Sequence, residues 1–393
     1  MRPTTITSLL LAASAVHAQP THHENQAIYV LTNNPDNAVI GLPVQKNGLL
    51  GDPVATLTGG IGEAGVDSDG VPAGPDSLFS QGAVTVAGEY VFAVNPGSST
   101  ISQLKVNRHT PSKLTLLDTA TIRGEFPNSV AATSKGNLVC IGATGAEAGV
   151  SCTTFSETGL GDFDALRPFN LNQTTPAAGP PNTLSHVLFN TDSTALYALV
   201  KGDGTAENPG FISVFPIKAG CKPETAASVS REDIRSSPAG TGLLFGAAIV
   251  PSSGLLFATD PGFGVSILEV DPETHIATSR ANVEISGQSA TCWAAYSPKS
   301  SSVFVTDVLV NRLVEVDAVD GEILSIANLP TQDPGLVDLW VVDKFVYALS
   351  PGNGTTDAAV VVHDFEKGEL VQRVSLKHLG AGKSAMGMAY IKI

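Results

Sequence analysis

Nine side chains in this sequence have the types and spacing to build a small-molecule site. Gln81, Asn128, His186, Phe245 and Trp293 stand at or near the start of apolar strand-like runs, while Asn34, Asn95, Asp260 and Asp307 follow the next run in their respective repeats. Gathered at one end of a ring of strands, they make a polar rim with two aromatic walls. His186 then supplies general acid–base chemistry, and the amides and carboxylates orient ring oxygens. His378 is expected on the same face. The Asn and Asp residues have a second reading, because such side chains commonly hydrogen-bond the backbone of their own turns. Both readings are open at this level.

Other recognisable patterns lack the context that their chemistry needs. Gly60-Ile-Gly-Glu-Ala-Gly65 has GxGxxG spacing, but Val66-Asp-Ser-Asp-Gly-Val-Pro follows where a helix would have to begin. Asp67-Ser-Asp69-Gly70 opens like a calcium loop without the later glutamate ligand. Gly382-Lys-Ser-Ala-Met departs from the nucleophile-elbow pattern at its last position. No cysteine–histidine cluster has zinc spacing. Neither a metal nor a cofactor is expected.

The elements that must position the candidate residues are strands. The 393 residues include 39 glycines and 25 prolines, which argues against long helices, and 42% are hydrophobic, enough for a substantial core. An apolar strand, a Gly/Asn/Asp/Pro turn and a second alternating strand recur seven times. Ile28–Ile40 and Tyr90–Ser102 are clear copies. The pattern returns at Leu138–Phe155, Ala195–Phe215, Leu255–Val270, Ser302–Val316 and Phe345–His363. Most copies follow one further strand, as at Ala83–Val86, Ser129–Thr133, Leu184–Phe189 and Thr291–Tyr296. The first copy lacks that strand, and Met386–Ile393 has the character to supply it. The expectation is an all-β seven-bladed β-propeller over residues 27–393, with four-stranded blades and a ring closed by the C-terminal strand joining the N-terminal blade. Loops between second and third strands share one face with the long inter-blade connections, and that face is the expected binding face.

Charge and targeting signals narrow the setting. With 22 basic and 37 acidic residues the formal net charge is −15, unsuited to nucleic acid or an anionic membrane. Residues 1–18 read as a signal peptide, with Arg2, an apolar Leu9–Val16 core and a Val16-His17-Ala18 cleavage pattern. Residues 19–26, including His22-His23-Glu24, are expected to be a flexible N-terminus. No later run of 18 apolar residues is present, so no membrane span is expected. A secreted monomer, extracellular or associated with a cell wall, follows. Of the four cysteines, Cys140 and Cys152 fall opposite each other on a hairpin centred near Ala146 and are expected to pair. Cys221 and Cys292 lie in different repeats and are expected to be free. Asn172-Gln-Thr and Asn353-Gly-Thr are glycosylation sequons.

The repeats also resemble a family. Leu78-Phe-Ser-Gln-Gly-Ala-Val followed by Tyr90-Val-Phe-Ala-Val-Asn-Pro-Gly-Ser, Phe126-Pro-Asn-Ser-Val-Ala and Ala290-Thr-Cys-Trp-Ala-Ala-Tyr-Ser-Pro look like the lactonase-type seven-bladed propellers. Those include secreted fungal proteins similar to 3-carboxymuconate cyclase. The resemblance runs from about Ala27 to the C-terminus. It implies a His, arginines and an acid that grip and protonate a carboxylated lactone or muconate, with His186 at the family histidine's position. The Arg-His pair expected before the fifth blade's first strand is replaced by Gly242-Leu-Leu-Phe-Gly-Ala-Ala, without a cation. A carboxylated substrate needs one. The balance of sequence features therefore favours a non-catalytic extracellular glycoprotein that binds a protein or glycan partner. The alternative is a lactone-acting enzyme, a lactonase or cycloisomerase, with His186 as acid/base.

Overall fold

The computed structural model describes residues 25–218 and 227–393. The expected signal peptide, residues 19–24 and Cys221 lie outside them. Seven antiparallel sheets stand around a central channel as blades. The innermost strands, in ring order, are Met386–Lys392, Val84–Ala87, Pro127–Thr133, Leu184–Phe189, Ala247–Ile249, Thr291–Ser297 and Leu339–Val342. Each is followed outward by the next strands of its own repeat. Blade 1 is completed from both ends of the chain: Met386–Lys392 pairs antiparallel with Gln26–Leu31, in the register Ala27 to Ile391 and Ile28 to Tyr390. The described residues thus form the seven-bladed β-propeller that the repeats predict. Among them, no helix is long and apolar enough to cross a membrane.

Burial follows position within the blade. The second and third strands are buried at nearly every residue, as in Phe345–Ser350 and Ala359–Asp364, because both of their faces pack against neighbouring blades. Outermost strands alternate, as Ala277–Glu284 does, since one face meets water. Two buried tyrosines stitch consecutive blades together. The Tyr29 hydroxyl of blade 1 donates to Pro111 O of blade 2 (2.6 Å), and Tyr347 of blade 7 donates to Gly48 O of blade 1 (2.7 Å).

Blades 3 and 4 depart from the simple pattern at their outer edges. In blade 3, Gly159–Leu160 and Arg167–Pro168 pair with different parts of Gly149–Ser156. In blade 4, Ser228–Val229 and Ile234–Ser236 share Gly210–Lys218 in the same way. Cys140 and Cys152 are directly opposed between the second and third strands of blade 3 and form a buried disulfide. Closing a loop of this size contributes roughly 3 kcal/mol in the chain-entropy model. The double substitution Cys140→Ala/Cys152→Ala is expected to lower unfolding free energy by about 2–4 kcal/mol in guanidinium titration.

Candidate active site

The connection from Leu57 to Val84 decides what the channel can do. Instead of skirting the loop face, its last residues cross the channel mouth. Gln81 N donates to Ser185 O of blade 4 (2.9 Å), while the Gln81 side chain pairs with the backbone of Ala294 in blade 6, Nε2 to the carbonyl (2.9 Å) and Oε1 from the amide (3.2 Å). Trp293 Nε1 donates to Ser80 O (3.0 Å), and Asn128 Nδ2 to Leu78 O (3.1 Å) and Leu184 O (2.6 Å). Blades 3, 4 and 6 are thereby tied to one short segment, Leu78–Gly82. It fits because the facing residue in blade 5 is Gly246: a Cβ there would stand 2.1 Å from Gln81 Oε1.

With the mouth crossed, the space around the axis becomes two cavities. One, of about 420 Å³, runs down the channel below Gln81 and Gly82, and its lining reaches Phe189, Tyr296 and Pro298 beside the short turns. The other, of about 330 Å³, lies on the long-loop face. His186 and Gln81 line the first, and Phe245 lines the second.

The remaining predicted residues line neither and are engaged with the fold. Asp260 Oδ2 accepts from Gly242 N and Leu243 N, and Asp307 Oδ2 from Ser289 N and Ala290 N. In both blades the carboxylate fastens the incoming connection to the turn after the second strand. Asn95 Nδ2 donates to Thr100 Oγ1 and Ser102 Oγ, while its Oδ1 accepts from Asn37 Nδ2 and Thr58 Oγ1. Half-buried Asn34 joins Gly380 O and Ser384 Oγ. Trp293 is fully buried and meets Phe245 edge-on, with centroids 5.1 Å apart.

At the inner end of the channel cavity two ionisable side chains converge on Gly82. His186 Nδ1 accepts the Ala247 N–H (3.2 Å), which fixes the proton of the neutral ring on Nε2. Burial pushes His186 down to about 3, so the ring is neutral in ordinary buffers. A Cβ on Gly82 would stand 3.1 Å from His186 Nε2, and φ of +82° also requires glycine there. Asp338 meets the same residue from blade 7: its Oδ2 accepts Gly82 N (3.4 Å) and Met388 N (3.0 Å), and its Oδ1 accepts Leu339 N (3.0 Å). These bonds favour the carboxylate, yet burial outweighs them and raises Asp338 to about 7.

Asp338 went unnoticed in the sequence. The signal was a charged residue inside the otherwise apolar run Leu336–Val342. The arrangement offers a neutral N–H donor and a carboxyl group poised between acid and base, in an otherwise mainly apolar cavity whose lining contains no lysine or arginine.

Cys292, expected to be unpaired, is a buried free thiol. Burial and the nearby Asp76 carboxyl push its pKa up, so it is not an activated nucleophile. Among the described residues no group of three or more His, Cys, Asp or Glu could hold a metal ion.

No protein-family model matches the chain, and no curated protein matches it in sequence. Its likeness is to solved structures. The periplasmic gluconolactonase PpgL of Pseudomonas aeruginosa superposes with a TM-score of 0.63 at 12% identity, over 94% of this chain and 99% of that one. Two proteins assigned as 6-phosphogluconolactonases, from Bacteroides fragilis and Bacteroides uniformis, give TM-scores of 0.59 and 0.57 at 12% and 14% identity. They match over 95% and 93% of this chain and 100% of their own. At such identity the likeness is one of fold: the chain carries the seven-bladed propeller that these lactonase-type structures share.

Proposed function

We propose that the protein is a lactone hydrolase acting in the central channel on an uncharged, largely apolar lactone. The observation that carries this reading is the convergence of His186 Nε2 and Asp338 Oδ2 on Gly82 at the inner end of the channel cavity. Asp338, as the carboxylate, takes a proton from water as the water oxygen attacks the lactone carbonyl carbon. The His186 Nε2–H donates to the developing oxyanion, a task suited to a ring held neutral by burial. When the ring C–O bond breaks, Asp338 returns the proton to the departing oxygen, leaving a hydroxy acid. His186 thus serves as the electrophilic donor rather than the base.

The lactonase-type neighbours support the enzymatic alternative over the non-catalytic binding protein that the missing Arg-His pair favoured. That missing pair still bears on specificity. Without a cation in the lining, a phosphate or carboxylate entering the channel would remain uncompensated in a low-dielectric site. Hydrolysis is favoured over cyclisation of a carboxylated muconate on the same ground. A panel of δ-valerolactones with alkyl substituents, gluconolactone and 6-phosphogluconolactone tests this by pH-stat. The alkyl lactones are expected to turn over at least 100-fold faster, in kcat/KM, than the phosphorylated one, on the order of the cost of an unpaired charge. Preference for the phosphorylated substrate would refute the channel assignment.

An extracellular setting is part of the proposal. It rests on the signal-like residues 1–18, the Cys140–Cys152 disulfide and two exposed sequon asparagines, Asn172 and Asn353. Asn353 Oδ1 is held by Thr355 and Thr356, among them the sequon threonine, and all four of these bonds leave free the Nδ2 that a glycan would use.

A further inference from the structure

The cavity on the long-loop face contains a buried charge pair that the channel chemistry does not use. Lys201 ends the second strand of blade 4, and its Nζ donates to Phe79 O (2.5 Å) and sits 4.3 Å from the centroid of the Phe245 ring. An ammonium carries three donors, so Lys201, which is fully buried, retains hydrogen-bonding capacity beyond that one bond. Asp76, in the connection that crosses the mouth, is nine-tenths buried, and its Oδ1 has no hydrogen-bond partner. Both line this cavity, and no ion pair within 4 Å joins them. The rest of the wall is apolar, from Phe79, Leu243, Phe245, Val308 and several prolines.

Such a pair is complementary to a group that accepts one hydrogen bond and donates another. The two charges balance each other, so a ligand with a net charge of its own would leave an uncompensated charge in a poorly solvated site. An uncharged hydroxyl meets both conditions. We propose that this cavity binds a small aromatic alcohol or phenol, whose hydroxyl accepts from Lys201 Nζ and donates to Asp76 Oδ1 while its ring packs on the apolar wall. The site is separated from the channel by the Leu78–Gly82 crossing and is independent of the lactonase reading.

Three naphthalene probes test it by fluorescence titration and calorimetry. 2-Naphthol has the hydroxyl, 2-methoxynaphthalene lacks the donor, and 2-naphthoate carries a charge. The protein is expected to bind 2-naphthol saturably and at least tenfold more tightly than either of the others. Lys201→Met and Asp76→Ala should each weaken 2-naphthol at least tenfold. Because a change at a buried pair can impair folding, Leu309→Trp provides a second arm: Leu309 is 59% exposed at the rim, and the larger ring obstructs entry without touching the pair. It should weaken 2-naphthol while leaving lactone hydrolysis unchanged, and Trp340→Ala, a change in the lining of the channel cavity, should leave 2-naphthol binding unchanged. Absence of saturable binding, equal affinity for the three probes, or binding lost in Trp340→Ala but kept in Leu309→Trp would overturn the site.

Discussion

Replacing Asp338 with asparagine is expected to lower kcat for lactone hydrolysis by about 10³-fold, within the range lost with a general base. An amide keeps the size of the side chain but cannot take the proton from water. The change also has a signature in stability. Burial raises Asp338 from the usual 3.8 to about 7. Between about pH 4 and pH 7 the folded chain therefore holds a proton that the unfolded chain has released, and wild-type stability declines as pH rises through that window. Asparagine lacks this slope. The Tm of Asp338→Asn relative to wild type should rise between pH 5 and pH 8, measured by calorimetry in matched buffers. A purely structural Asp338 could produce that shift, but not the accompanying loss of turnover with KM largely kept.

Replacing His186 with alanine is expected to cost about 10²–10³ in kcat, the usual effect of deleting one oxyanion donor. His186→Gln should recover part of the loss, because its side-chain amide restores an N–H donor from the same position. The two residues are separable by pH. His186 stays neutral down to about pH 3, so its contribution does not titrate across the working range. An acid limb near pH 7 should therefore persist in His186→Gln and disappear from the residual activity of Asp338→Asn. If the limb instead vanishes with His186, the assignments of base and donor are reversed.

The fold was legible because it is written seven times. The Tyr90–Ser102 type of repeat sets the second and third strands of each blade, and the unpaired first copy pointed to Met386–Ile393 as its missing partner, which pairs as Met386–Lys392. The disulfide was legible for the same local reason, since Cys140 and Cys152 are equidistant from one turn. The site was only partly so. His186 was found by its chemistry, but it was expected at an open mouth that Leu78–Gly82 crosses. Nothing local in Ser77-Leu-Phe-Ser-Gln announces that path, which is fixed by bonds such as Gln81 to Ala294, 213 residues apart. Asp260 and Asp307 followed the turn-binding reading that was open from the start, with Oδ1 accepting from Gly262 N and from Leu309 N and Val310 N of their own turns. Lys201 looks in sequence like an ordinary polar residue at a strand end, and Asp338 shows only as a charge within the apolar run Leu336–Val342. Their burial comes from contacts between distant repeats, Lys201 with Phe79 and Phe245 and Asp338 with Gly82 and Met388, a property of the ring and not of any single repeat.

The most direct test of catalysis in the channel is the pH dependence of kcat/KM for an uncharged alkyl lactone, followed by pH-stat between pH 5 and pH 9 with the spontaneous rate subtracted. The wild-type protein is predicted to show activity that falls tenfold per unit below an apparent pKa near 7, the value to which burial raises Asp338. No hydrolysis above background, or a rate without that limb, would contradict Asp338 as the base and the channel as the place where the reaction occurs.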